Sequence, residues 1–123
     1  MKKIIIIDDD ATNNFLCETM IRKLLKDVEV ITFLDPMQAF EYLKNHHQGF
    51  QGLVIIDVNM PELSGWELLN MLKENNIIVP VIMLTSSISD QDKVTASEIT
   101  MVHQFLVKPI DPGMIIGLGD FIN

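Results

Sequence analysis

The chain has 123 residues, 48% of them hydrophobic, and a formal charge of -8 at pH 7. That length suits one domain, expected to occupy residues 1–123, with a real core and no room for a second. The charge disfavours nucleic acid or an anionic membrane as direct partners, no apolar run reaches the roughly 18 residues of a membrane span, and the lone Cys17 excludes an internal disulfide and fits a reducing cytoplasm.

Five apolar runs of strand length punctuate the chain. They are "KIIIID" (Lys3 to Asp8), "VEVITF" (Val28 to Phe33), "GLVIID" (Gly52 to Asp57), "VPVIMLT" (Val79 to Thr85) and "QFLVK" (Gln104 to Lys108). Most are continuous in Ile and Val, as expected when both faces of a parallel sheet are covered. After the first run, Cys17, Met20, Ile21 and Leu24 follow i, i+3, i+4, i+7 spacing and mark the inner stripe of a helix. Cys17 therefore reads as a small buried hydrophobe. Asp10 or Thr12 could cap that helix, with Asp10 preferred. "DPMQAFEYL" opens a second helix, with Asp35 as N-cap and Pro36 at the first helical position. "SGWE" (Ser64 to Glu67) has capping-box spacing ahead of Leu68, Leu69 and Leu72.

"SISDQDKVTASEITMV" should hold a fourth helix, although its apolar pattern is thin and rich in Thr. "DPGMIIGLGDFIN" begins like a fifth, but Gly117 and Gly119 each cost roughly 1 kcal/mol relative to alanine. That helix is expected to be short or frayed. The sum is (βα)5, a flavodoxin-like doubly wound parallel sheet with right-handed crossovers and strand order 2-1-3-4-5.

In such a sheet the carboxyl ends of the strands gather along one edge. Asp8, Asp9 and Asp10 end the first, Asp57 the third, Thr85 and Ser86 the fourth, and Lys108 with Pro109 the fifth. Two carboxylates about 4 Å apart repel by roughly 4 kcal/mol at an effective dielectric near 20, so such a cluster needs solvent, a proton or a cation. Mg²⁺ is satisfied by one or two carboxylates plus carbonyl and water oxygens. A carboxylate can act as the nucleophile in phosphoryl transfer, and a lysine and a threonine hydroxyl can hold the phosphoryl oxygens.

Taken in order, "IIIIDDD", "VIIDVNMPELSG", "VIMLTSS" and "FLVKP" resemble the receiver (CheY-like) domain of bacterial two-component response regulators over nearly the whole chain. The resemblance implies that Asp57 accepts a phosphoryl group from the phosphohistidine of a sensor histidine kinase or histidine phosphotransfer protein. It implies Mg²⁺ held by Asp9, Asp57 and the backbone carbonyl of Asn59, with Asp8 acting largely through water. Thr85 matches the switch hydroxyl, Lys108 the phosphate-binding lysine and Phe105 the switch aromatic, and the Lys108–Pro109 bond is cis in relatives. The implied protein phosphorylates and dephosphorylates itself. It signals through its fourth helix, fifth strand and fifth helix to a downstream protein, as a cytoplasmic monomer or weak dimer. Three departures stand out: "ITMVHQ" lacks the glycine many relatives carry before the last strand, the Gly-rich final helix is unusual and weakens any claim of a dimer through the fourth and fifth helices, and Phe105 lacks a hydroxyl, so its coupling to Thr85 would be steric.

Two other readings compete. Asp8-Asp9-Asp10-Ala11-Thr12 fits the D-x-D-x-T signature of haloacid dehalogenase-like phosphatases, with Asp8 as nucleophile, but that reading leaves Asp57 idle and finds no acidic motif after the fourth strand. A pseudo-receiver would bind a partner without being phosphorylated, but would have no reason to keep a repulsive pocket. His46, His47 and His103 show no metal-ligand spacing, and Trp66 would serve as a fluorescent reporter near the site.

Overall fold

The computed structural model describes residues 2–122; Met1 and Asn123, the last residue of the segment expected to hold the fifth helix, lie outside them. Strands and helices alternate as β1 (Lys2–Ile7), α1 (Ala11–Leu24), β2 (Val28–Phe33), α2 (Pro36–His46), β3 (Gly52–Asp57), α3 (Gly65–Glu74), β4 (Val81–Thr85), α4 (Asp90–Ser97), β5 (Val102–Val107) and α5 (Pro112–Ile122). The strands form one parallel sheet in the order β2-β1-β3-β4-β5.

The isoleucine run explains the layering. Successive strand side chains point to opposite faces, so Ile5 and Ile7 enter one apolar cluster and Ile4 and Ile6 the other. The first cluster joins them to Phe40 and Leu43 of α2 and to Leu68, Leu69 and Leu72 of α3. The second joins Cys17 and Ile21 of α1 to Ile115, Leu118 and Ile122 of α5. All four isoleucines are fully buried, each contributing about 1.5–3 kcal/mol by leaving water.

Local signals set the helix starts. Asp10 caps α1 by accepting the amides of Thr12 and Asn13, and Asp35 caps α2 through Met37. Ser64 with Glu67 and Ser89 with Asp92 form reciprocal capping boxes on α3 and α4.

Beside one-residue shifts at the ends of β1 and at the close of β5, three differences from the sequence reading stand out. β4 begins at Val81, because Pro80 has no amide to give and contributes only its carbonyl, which accepts from the Val54 amide at 2.9 Å. β5 begins earlier, at Val102, since a turn from Ile99 (Val102 N–H to Ile99 carbonyl, 3.1 Å) brings the chain alongside β4 at once. The fifth helix is neither short nor frayed. It runs eleven residues, starting where the Asp111 carboxylate accepts the Met114 amide at 2.9 Å. Burial of Ile115, Leu118 and Ile122 outweighs the backbone freedom lost at Gly117 and Gly119. The fourth helix is as thin as its pattern: eight residues, none buried.

Candidate functional site

The carboxyl ends of β1, β3, β4 and β5 converge as the strand order requires. Asp8 follows β1 and is wholly buried; Asp57 closes β3 and is 4% exposed; Thr85 closes β4 and is wholly buried. Lys108 lies just past β5, its amide bonded to the Thr85 carbonyl at 2.8 Å. Its ammonium reaches both acids, 3.0 Å from Asp8 Oδ2 and 3.7 Å from Asp57 Oδ2. Asp9 is exposed at the rim, and one carboxylate oxygen from each of Asp8, Asp9 and Asp57 lies within 4.8 Å of the others. Asn59 sits beside this group, its amide donating to Asp57 Oδ1 at 3.3 Å. The Lys108–Pro109 bond is cis.

The electrostatics follow from this crowding. Burial, then the charge of Asp8, pushes the Asp57 carboxyl up to about 7, against the pull of Lys108. Burial alone would lower the Lys108 ammonium, yet Asp8 and Asp57 hold it above its ordinary value. Burial and the charge of Asp8 also push the Cys17 thiol up to about 11, leaving it a protonated core side chain. Three carboxylates with one ammonium leave negative charge in excess, and the donor set is all oxygen. That suits a hard divalent cation such as Mg²⁺.

Thr85 and Phe105 stand apart from the carboxylates in their contacts. The Thr85 hydroxyl donates to the Ser87 carbonyl at 2.8 Å. Phe105 is half-buried and meets the Trp66 indole edge-on at 5.9 Å. Trp66 Nε1 in turn donates to Asp92 Oδ1 of α4 at 3.1 Å. Trp66 thus joins α3 to α4 and β5, a structural part beyond the reporter role its position suggested.

Other contributors carried weaker sequence signals. Gly65 lets α3 start against the back of the site: its amide donates to the Val58 carbonyl at 2.9 Å, and a Cβ there would come within 2.5 Å of the Asp57 carbonyl oxygen. Asn13 Nδ2 donates to Asp8 Oδ2 at 2.8 Å, and the buried Asn14 donates to the Asp8 carbonyl at 2.9 Å. Their positions in the first turns of α1 were the only clue. Asp10 is spent on capping α1. A cleft of about 210 Å³ opens beside Asp9, walled by Leu34, Pro36, Met60 and Pro61 and edged by Asp35 and Glu62.

Among the described residues no helix is long and apolar enough to cross a membrane. The structure is similar to that of chemotaxis protein CheY4 from Vibrio cholerae, with TM-score 0.82 and 23% identity, covering 100% of this chain and 99% of that one. In sequence the chain is 30% identical to Protein PilG of Pseudomonas aeruginosa over 94% of its own length and 82% of PilG. It is 32% identical to the transcriptional regulator ycf27 of Porphyridium aerugineum, over 90% of its own length but 43% of that protein. It therefore spans less than half of that regulator. The family model of the response regulator receiver domain matches residues 4–118, and the chain belongs to that family, the receiver domains of two-component systems.

Proposed function

We propose that this receiver domain is a phosphoacceptor whose nucleophile is Asp57. The observation that carries the reading is the Lys108 ammonium set between Asp8 and Asp57, 3.0 and 3.7 Å away, with Asp9 close enough to share a cation with both acids. A buried repulsive cluster has a structural cost that a passive surface would not need. The arrangement makes sense if charge is delivered to it.

Asp9, Asp57 and the Asn59 carbonyl would hold Mg²⁺, with Asp8 contributing through water; bound there, the ion would offset the carboxylates and the charge on the transferring group. An Asp57 carboxylate oxygen attacks the phosphorus of a phosphohistidine. The O–P bond forms as the N–P bond breaks, and the imidazole leaves with the electron pair and takes up a proton. Lys108 then pairs with one phosphoryl oxygen. Water attacking the same phosphorus releases inorganic phosphate and restores the carboxylate. The donor is a sensor histidine kinase or histidine phosphotransfer protein, the recipient of the signal a downstream protein, and the setting the cytoplasm.

The switch begins at Thr85, whose hydroxyl must leave the Ser87 carbonyl to reach a phosphoryl oxygen. That turn draws the loop ahead of α4, and an element with no buried side chain moves at low cost. Phe105 and its contact with Trp66 lie along the same path. The test is intact mass after incubation with acetyl phosphate and Mg²⁺. The wild type gains one phosphoryl group, and Asp57→Asn gains none. A wild type that gains nothing overturns the reading and leaves a pseudo-receiver, while an adduct retained in Asp57→Asn but lost in Asp8→Asn moves the nucleophile to Asp8.

A further inference from the structure

We infer that Asn13 is a positioning residue for cation uptake, acting by pinning the Asp8 carboxylate between α1 and β5. Every polar atom of that carboxylate is engaged. Oδ1 accepts the Asp10 amide at 2.9 Å. Oδ2 accepts both Lys108 Nζ at 3.0 Å and Asn13 Nδ2 at 2.8 Å, so donors from two elements fix the group.

The contrast with other helices in the molecule shows why the residue is an amide. Asn13 is the third residue of α1 after its cap, Asp10. At the same position α3 carries Glu67 and α4 carries Asp92, and each returns its carboxylate to the cap's own amide. In α1 that amide is already taken by Asp8. An acid at position 13 would therefore face a buried carboxylate with no proton between them. Asparagine offers a neutral donor instead, adding no charge to a cluster already in excess. With Oδ2 held by Asn13 and Lys108, Asp8 keeps one orientation toward the seat formed with Asp9 and Asp57. Without Asn13, a single flexible lysine holds Oδ2, and only the Asp10 amide on Oδ1 restrains the group besides.

The inference rests on the cation seat described above, and calorimetric titration with Mg²⁺ separates the two. Loss of a partner that orients a ligand typically weakens metal binding by 10–100-fold, and the half-exposed Asn13 places the expectation at about tenfold for Asn13→Ala. Asn13→Ser serves the same purpose where alanine unsettles the helix start. In an Asp8→Asn background the same substitution should change affinity by less than about twofold, because sites acting through one contact are non-additive. A wild-type protein that binds Mg²⁺ while Asn13→Ala binds within twofold of it, or more tightly, overturns the inference alone. So does a tenfold loss that persists in the Asp8→Asn background. A wild type that takes up no Mg²⁺ overturns the seat itself, and the role of Asn13 with it.

Discussion

The Asp57 carboxyl offers the most direct physical test, through the substitution Asp57→Asn in metal-free protein. An aspartate ionises near 3.8 when unperturbed, and in the folded protein this one is raised to about 7. Between those values the folded state holds a proton that the unfolded chain releases, so stability falls as pH rises through the window and is lowest above about 7. A displacement of that size corresponds to about 4 kcal/mol lost from the folded state when fully ionised. The mouth of the site is open at Asp9, so solvent screening reduces the usable figure to roughly 2 kcal/mol. Asp57→Asn keeps the shape, removes the charge and should be more stable than wild type by about that amount at pH 8. For a chain of this length the gain is roughly 8 °C in Tm. At pH 3, below both values, Asp57 is protonated in the folded and the unfolded wild type alike, and the difference should nearly vanish. Urea denaturation in EDTA at the two pH values measures both. Equal stability at pH 8, or the same pH slope in both proteins, would refute the claim that burial and Asp8 strain this carboxylate.

Three further outcomes follow from the geometry. Lys108→Met leaves Asp8 and Asp57 without their counter-charge, so it should destabilise the metal-free protein by about 2–3 kcal/mol at pH 8 and by much less at pH 5, read by the same denaturation. Trp66→Phe keeps an aromatic edge on Phe105 but loses the donor to Asp92; amides 90–97 of α4 should exchange with deuterium about fivefold faster, with α1 and α5 unchanged. Gly65→Ala forces a methyl against the Asp57 carbonyl and should cost roughly 1–3 kcal/mol, whereas wild-type stability on denaturation would show that the α3 start has slack.

The strands and their order were legible because buried parallel strands are continuous Ile and Val runs, and the strand ends then follow from topology. The cap at Asp10 and the box at Ser64 were equally plain, being short-range hydrogen-bond chemistry written within four residues. Tertiary facts were not. The glycines of α5 argued for fraying because propensity counts only the helix itself, while Ile115, Leu118 and Ile122 are held by the sheet beneath. The roles of Asn13 and of the Trp66–Asp92 bond depend on rotamers and on helices meeting across space. The Thr85 hydroxyl could be placed at the site's edge from its strand position, but its bond to Ser87 belongs to the loop conformation.

The sheet separates two apolar clusters that have no buried side chain in common, and this matters for how the chain tolerates change. A cavity cut beneath α5 and one cut beneath α3 relax into different surroundings, so their costs sum with little correction. Sequence drift on the α1–α5 side can proceed without retuning the side that carries Trp66 and Phe105. The molecule is thus two half-proteins sharing a wall, and Lys108 with the buried Asp8 and Asp57 stands where that wall ends.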